Sequence, residues 1–297
     1  MEITFLGTSS AVPSIKRNHP SIAIKAFGEV ILLDCGESTQ RQLAFAGISP
    51  MKISKIFISH FHGDHILGLP GLIQSMGFRG RENKLHIYGP KGLKKLKNNI
   101  LSLGYCLIEF PIEFHEIDSG LVFENEEYII QCIQTKHNIT NLSYSIEEKK
   151  KPRFLREKAI ELGIPIGPDF GKLHKGESIE VNGKTIKPED VLGPKRKGKK
   201  LTYSGDTMFC EEMVKLSENS DILIHEATYI NEDYDKAEQN THSTASDAAN
   251  IAKYANVKKL IITHISTRYK NDKLITEQVQ EVFKNSYLAN DLMNIEL

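Results

Sequence analysis

Ser59-His60-Phe61-His62-Gly63-Asp64-His65 places three imidazoles and one carboxylate within six residues, although the whole 297-residue chain has only eleven histidines. Such clustering is improbable for a polar loop that merely caps a helix starting near Ile66. Imidazole nitrogens and carboxylate oxygens are donors suited to zinc and similar divalent ions. His60 and His62, two apart in an extended turn, can face one ion, while Asp64 and His65 can face a second. One loop cannot surround two cations, so other segments must supply donors. His137, Asp206 and His264 each follow an apolar run, where open α/β sheets present functional groups. Gly205 lets the backbone before Asp206 approach closely. Taken singly, these three read as capping or surface residues; beside the cluster they read as ligands.

The elements that must position them are short. Ile3–Leu6, Ile22–Ala26, Val30–Leu33 and Ile53–Ile58 end at glycine or polar breaks and are rich in Ile and Val, which predicts strands. Later strands are expected at Tyr128–Ile133, Lys200–Tyr203, Asp221–Ile224 and Lys259–Thr263, and helices at Gly92–Leu101, Ala245–Tyr254 and Thr276–Lys284. Strands first, then strands alternating with helices, predict a layered α/β fold with helix-covered sheets. From Lys149 to Lys200 the long apolar runs stop. This stretch holds five of the eleven prolines and fifteen Lys/Arg against seven Asp/Glu. It therefore carries +8 in a chain of zero net charge, and the remainder carries −8. It reads as an insertion with a short helix at Arg153–Leu162 and a hairpin around Asn182-Gly183.

Composition, 40% hydrophobic and 26% charged, excludes a disordered or fibrous chain. No run approaches the ~20 apolar residues of a membrane span, and the N-terminus reads as a strand without a leader signature. A soluble cytosolic protein is expected. Cys35, Cys106, Cys132 and Cys210 form no CxxC pair, so buried reduced thiols are expected.

His60-x-His62-x-Asp64-His65, followed by His137, Asp206 and His264, resembles the ligand series of the metallo-β-lactamase superfamily. The resemblance implies a four-layer αβ/βα sandwich with metals at one edge, here built from residues 1–148 and 201–297 around an inserted flexible arm, 149–200. Further motifs resemble the short tRNase Z family, endoribonucleases that mature tRNA 3′ ends. They are Phe5-Leu6-Gly7-Thr8-Ser9-Ser10-Ala11-Val12-Pro13 leading to Arg17-Asn18, His225-Glu226-Ala227-Thr228, His242-Ser243-Thr244, and the glycine-proline pattern of the arm, Gly163-Ile164-Pro165-Ile166-Gly167-Pro168. Where that family has Pro-x-Lys-x-Arg-Asn, Ile15 stands at the lysine position with Lys16 beside it.

By this resemblance, two Zn2+ (or Mn2+ or another divalent ion) are held by His60, His62 and His137 on one side and by Asp64, His65 and His264 on the other, with Asp206 bridging. Asp64 orients the attacking water or accepts its proton. His242, oriented by Glu226, protonates the leaving oxygen, and Ser243 or Thr244 caps the helix that begins near Ala245. Arg17 and Asn18 contact substrate, Arg268 holds a phosphate near the metals, and the basic arm grips precursor tRNA. The resemblance further implies a homodimer and no membrane partner. Two alternatives remain at this level: a small-molecule phosphodiesterase or lactonase of the same superfamily, and an RNA-binding protein whose metal site is vestigial.

Overall fold

The computed structural model describes residues 1–104, 108–194 and 196–297. Strands β1 (Glu2–Gly7), β2 (Ser21–Ala26), β3 (Glu29–Leu33), β4 (Ile53–Phe57), β5 (Leu85–Gly89) and β6 (Ile112–Glu116) come first. They are followed by β7 (Gly120–Glu124), β8 (Tyr128–Thr135), β9 (Asn141–Glu148), β10 (Ile179–Val181), β11 (Lys184–Ile186), β12 (Lys200–Tyr203), β13 (Ile222–Glu226), β14 (Lys259–Thr263), β15 (Ser286–Leu288) and β16 (Asn294–Glu296). The helices are α1 (Thr39–Phe45), α2 (Gly63–Ile66), α3 (Leu69–Phe78), α4 (Leu93–Ser102), α5 (Arg156–Glu161), α6 (Pro168–His174), α7 (Pro188–Val191), α8 (Glu211–Ser217), α9 (Tyr234–Asn240), α10 (Ala245–Tyr254) and α11 (Lys273–Val282). No described helix is long and apolar enough to cross a membrane.

The chain groups into two compact units, one of Met1–Asn125, Ile129–Glu147 and Lys199–Leu297, the other of Glu126–Tyr128 and Glu148–Gly198. The first holds two seven-stranded sheets, ordered β16-β1-β2-β3-β4-β5-β6 and β15-β14-β13-β12-β9-β8-β7. Strand side chains alternate between faces, and here both faces are buried. Val30 and Leu32 of β3 join Leu43 of α1 and Leu72, Ile73 and Met76 of α3 in one core, while Ile31 and Leu33 are buried on the opposite face. Leu223, Leu260 and Ile262 pack on Ala248, Ile251 and Ala252 of α10 and Val279 of α11, while Ile222, Ile224 and Ile261 are buried on the other side. Between the sheets the Phe57 and Tyr144 rings meet edge-on at 5.4 Å, and the Tyr144 hydroxyl donates to the Ile58 carbonyl at 2.7 Å. The result is the four-layer αβ/βα sandwich of the metallo-β-lactamase fold. Each fully buried large aliphatic chain contributes about 1.5–3 kcal/mol, and the inner faces are therefore fixed firmly.

β3, β4, β5 and β6 run parallel, as do β12, β13 and β14. Loops leaving the C-terminal ends of β3, β4, β12 and β14 carry Asp34, His60, Asp206 and His264, and Glu226 is the last residue of β13. The Asp206 loop turns at Gly205, whose φ is 59°. A Cβ there would lie 2.5 Å from Asn141 Oδ1 and 2.7 Å from Ser59 Cβ, so both the backbone conformation and the space require glycine.

The second unit has its own small core of Ala159, Ile164, Leu173, Ile179, Ile186 and Val191, with Phe154, Phe170 and Val181 packed against it. β10 and β11 form the hairpin expected around Asn182-Gly183, with both turn residues at positive φ. The helix expected over Arg153–Leu162 is shorter, Arg156–Glu161, because Phe154 is engaged in a β-bridge to Leu192. Among the cysteines, Cys35, Cys132 and Cys210 are buried and unpaired, and burial pushes the Cys35 and Cys132 thiols up to about 12. Cys106 lies outside the described residues.

The expected helix Ala245–Tyr254 is α10. Of its two candidate caps, Thr244 is the N-cap. Its hydroxyl accepts from Asp247 N at 3.2 Å, and Asp247 Oδ2 accepts from Thr244 N at 2.9 Å, a reciprocal box. Ser243 Oγ instead donates to the Thr207 carbonyl at 2.6 Å. Thr244→Ala should lower unfolding stability by about 1 kcal/mol, read as a shifted urea midpoint at unchanged m-value.

Candidate metal centre

The loop after β4 and the start of α2 bring His60, His62, Asp64 and His65 to one place, and His137, Asp206 and His264 arrive there from β8, β12 and β14. Around one point, His60 Nε2 lies 3.0 Å from His62 Nδ1, His137 Nε2 3.3 Å from His62 Nδ1, and Asp206 Oδ2 3.5 Å from His60 Nε2. Around a second, His65 Nε2 and His264 Nε2 are 3.4 Å apart. Asp64 Oδ2 is 3.4 Å from each, and Asp206 Oδ2 is 3.4 Å and 3.3 Å from them. Donors at 2.0–2.1 Å from a tetrahedral zinc are about 3.3 Å from one another, so both groups have the spacing of a tetrahedral shell. Asp206 Oδ2 belongs to both.

Hydrogen bonds on the far ring nitrogens decide which nitrogen carries the lone pair. His65 Nδ1 donates to Asp34 Oδ2 at 2.8 Å and His137 Nδ1 to the Thr241 carbonyl at 2.8 Å. Ser59 Oγ donates to Asp34 Oδ2 and therefore accepts from His60 Nδ1 at 2.9 Å. Thr228 Oγ1 donates to Glu226 Oε2 and accepts from His264 Nδ1 at 2.8 Å. All four rings are thus left with Nε2 as the donor atom facing inward.

Burial, with the neighbouring histidines, holds His60 well below the usual imidazole range, and burial also lowers His62 and His137. Their lone pairs are available at neutral pH. Burial also disfavours charge on His65, but the facing Asp206, Asp34 and Asp64 carboxylates hold it well above its usual range. Burial pushes Asp206 and Asp64 upward, yet the histidines around them keep both below the ordinary carboxylate range. Asp206 Oδ1 is buried with no hydrogen-bond partner among the described residues. A buried anionic oxygen without a donor is costly unless a cation meets it, and together with the donor set this makes the residues fit two divalent ions.

His62, Asp64, Asp206, His242, His264 and Arg268 line one open cleft of about 780 Å³. His242 Nδ1 lies 2.7 Å from Glu226 Oε1, which also accepts from Thr207 N at 2.9 Å. Burial opposes charge on both members, but each is stabilised by the other: Glu226 is lowered, and His242 is pushed up to about 9. His242 is therefore a protonated donor at neutral pH. Arg268 is exposed beside the cleft, its guanidinium 5.0 Å over the Tyr229 ring.

Arg17 departs from expectation. Its guanidinium is buried, donating to Thr8 Oγ1 at 2.6 Å, the Ala289 carbonyl at 2.7 Å and Asp272 Oδ2 at 2.7 Å. It braces the loop carrying Ser10, Ala11 and Val12, which line the cleft, instead of reaching substrate itself. Asn18 is half-buried, with its amide nitrogen donating to the Glu37 carbonyl at 3.3 Å, and it does not line the cleft. Asp34, Ser59 and Thr228 were given no role from sequence. For Asp34 and Ser59 the available signal is position, since they end the apolar runs Val30–Leu33 and Ile53–Ile58, and for Thr228 it is the motif His225-Glu226-Ala227-Thr228.

A family model described as Anti-Pycsar protein Apyc1 matches residues 1–154, and one described as a beta-lactamase superfamily domain matches residues 174–265. Over its whole length the chain is 55% identical to ribonuclease Z of Methanothermobacter thermautotrophicus, covering 97% of that protein. It is 49% identical to ribonuclease Z of Methanocaldococcus jannaschii, again over 100% of this chain and 97% of the relative. The chain belongs to the ribonuclease Z family. Among solved structures, human tRNase Z, short form, superposes with a TM-score of 0.73 at 28% identity, covering 100% of this chain and 99% of that one. Both halves of the ribonuclease Z relatives are therefore matched continuously, the segment between the two family models included.

If Glu226 holds the proton on His242, Glu226→Gln removes the charge that favours the imidazolium. The alkaline fall of kcat should then move from about pH 9 to lower pH. A pH–rate profile with an unmoved alkaline limb would refute the pairing.

Proposed function

We propose that this chain is the metal-dependent endoribonuclease that cuts 3′ trailers from precursor tRNA after the discriminator nucleotide, leaving a 3′-hydroxyl on the tRNA. Full-length identity of 55% and 49% to two ribonuclease Z proteins carries the reading, and it disfavours both alternatives. A lactonase or small-molecule phosphodiesterase needs no such full-length correspondence. A vestigial site has no reason to keep seven donors at tetrahedral spacing.

In this reading His60, His62 and His137 hold one cation, Asp64, His65 and His264 the other, and Asp206 both; the donor set supports Zn2+, with Mn2+ as a substitute. When bound, two such cations neutralise phosphate oxygens and bring a water near the pKa at which it becomes nucleophilic at neutral pH. Asp64, held below the carboxylate range, stays ionised and accepts the proton of the attacking water. His242 faces the same cleft and gives its proton to the departing 3′ oxygen. Glu226 fixes the ring through Nδ1 and leaves Nε2 as the donating atom. The exposure of Arg268 at the cleft supports a role in holding a phosphate there.

The inserted arm is the reading's exosite for tRNA. Its surplus positive charge supports binding to tRNA phosphates. The buried thiols Cys35, Cys132 and Cys210 support work in the reducing cytoplasm. The family resemblance supports a homodimer, which light scattering would count.

Cleavage of a 3′-extended tRNA transcript, with the product end mapped to the nucleotide, tests the function. The expected cut follows the discriminator and disappears with chelator. Asp64→Ala should lower kcat by about 10²–10⁴-fold while precursor tRNA still binds in a gel-shift assay. Replacing residues 149–198 by a short linker should weaken tRNA binding and flatten its dependence on salt. Hydrolysis of bis-p-nitrophenyl phosphate should persist; equal loss of both activities would make the arm a structural element.

A further inference from the structure

At the far edge of the first sheet, β5 and β6 carry a second group of the same donor types. In their parallel register His86 lies beside Glu113 and Tyr88 beside His115. These side chains share one face, opposite to Leu85, Ile87 and Phe114, which pack into the helix-side core. His86 Nδ1 lies 3.0 Å from His115 Nε2, and Glu113 Oε2 lies 3.5 Å and 3.7 Å from those two nitrogens. The two nitrogens and one oxygen form a triangle whose sides bracket the ~3.3 Å donor spacing of a tetrahedral zinc shell. None of the three residues lines the central cleft.

We propose that His86, Glu113 and His115 form a further binding site for a divalent transition-metal ion of the zinc class. Two imidazoles out of three donors favour zinc, nickel or copper over magnesium or calcium. Lys84 Nζ engages the other Glu113 oxygen, Oε1, which turns Oε2 toward the rings. The His115 ring is held in plane by Tyr88, stacked on it at 4.5 Å and 17°, and Tyr88 is itself stacked on Phe57 at 4.6 Å. Burial and the nearby lysines keep both imidazoles below their usual range, so they are neutral at pH 7. The side chains are 30%, 44% and 33% exposed in chain order, which leaves room for water to complete the shell. A plain imidazole–imidazole hydrogen bond accounts for the 3.0 Å contact alone. It gives no reason for one carboxylate oxygen to face both rings. Lys55, Lys84 and Lys94 lie close enough to bear on these imidazoles, and their charge makes this site weaker than the central one.

The test is a titration of the intact protein with Zn2+, counted by equilibrium dialysis and elemental analysis, comparing wild type with His86→Ala, His115→Ala and Glu113→Gln. Wild type should bind one ion per chain more than either alanine variant, and Glu113→Gln should weaken that ion by at least tenfold. Because the readout is a difference between variants, it does not depend on how many ions the central site holds. Cleavage of 3′-extended tRNA by each variant should match wild type, which also reports that it is folded. If either alanine variant fails to fold, Glu113→Gln carries the comparison, with zinc raising the Tm of wild type by more than that of the variant. Equal stoichiometry and equal affinity in wild type and Glu113→Gln would overturn the proposal.

Discussion

The buried carboxylate of Asp34 is the constraint on which the centre depends. Oδ1 accepts from Ser59 N at 2.7 Å, and Oδ2 accepts from Ser59 Oγ at 2.8 Å, His65 Nδ1 at 2.8 Å and Tyr203 OH at 2.7 Å. Those donors come from the ends of β4 and β12 and from α2, so one side chain at the end of β3 fastens the two sheets together at the site. A fully buried charge is tolerated only when hydrogen bonds replace its water. Four donors do so here, and each is thereby fixed. The orientation of His60 follows from Ser59 and that of His65 follows directly. The loop after Tyr203, which carries Asp206, starts from a position that Asp34 also sets.

This fastening is accompanied by backbone strain. Asp34 and His264 both have positive φ, 58° and 59°, a conformation that non-glycine residues adopt rarely. Such residues persist only where the surroundings over-determine them. For Asp34 the four donors supply that constraint. For His264 the contact to Thr228, itself bound to Glu226, supplies it on the other side of the cleft. The chain His264–Thr228–Glu226–His242 therefore links a candidate ligand to the proposed proton donor. A change at Glu226 disturbs both the charge on His242 and the aim of His264.

Much of the candidate centre was legible in sequence because its donors come within a few residues of apolar runs, and β4, β12 and β14 among those runs are strands with parallel neighbours, whose ends converge by geometry. Ile56-Phe57-Ile58 and Leu260-Ile261-Ile262 mark their strands by short continuous apolar runs. β9 has no such run. In Asn141-Leu142-Ser143-Tyr144-Ser145 every second residue is polar, yet Ser143 and Ser145 are buried, and Ser143 Oγ donates to the Ser204 carbonyl at 2.6 Å. Leu142, Tyr144 and Ile146 do alternate with these polar residues, but a strand with serines on its second buried face lacks the Ile- and Val-rich run by which the other strands are read. Arg17 misled for a related reason: a basic residue in a loop reads as a phosphate contact. Its partners Asp272 and Ala289 lie more than 250 residues away in sequence, and no local pattern reveals a pairing closed by the last strands.

Burial separates the two donor clusters of this fold more than donor identity does. At the centre, Asp206 and Asp64 are largely removed from water, and His60 and His65 wholly so. Solvent cannot offset the charge of two convergent carboxylates there, and Asp206 Oδ1, without a partner among the described residues, shows that protein donors do not offset it completely either. In the proposed reading, cations at that point would replace this missing interaction and so stabilise the fold as well as serve the reaction. At the β5–β6 edge, water reaches all three side chains, and Lys84 already pairs with Glu113. An ion bound there displaces water and competes with a lysine, so it adds to a structure that is satisfied without it. The same donor spacing thus suits, on the proposed reading, an ion that offsets buried charge in one place and an optional one in the other, and the dielectric around the donors separates the two.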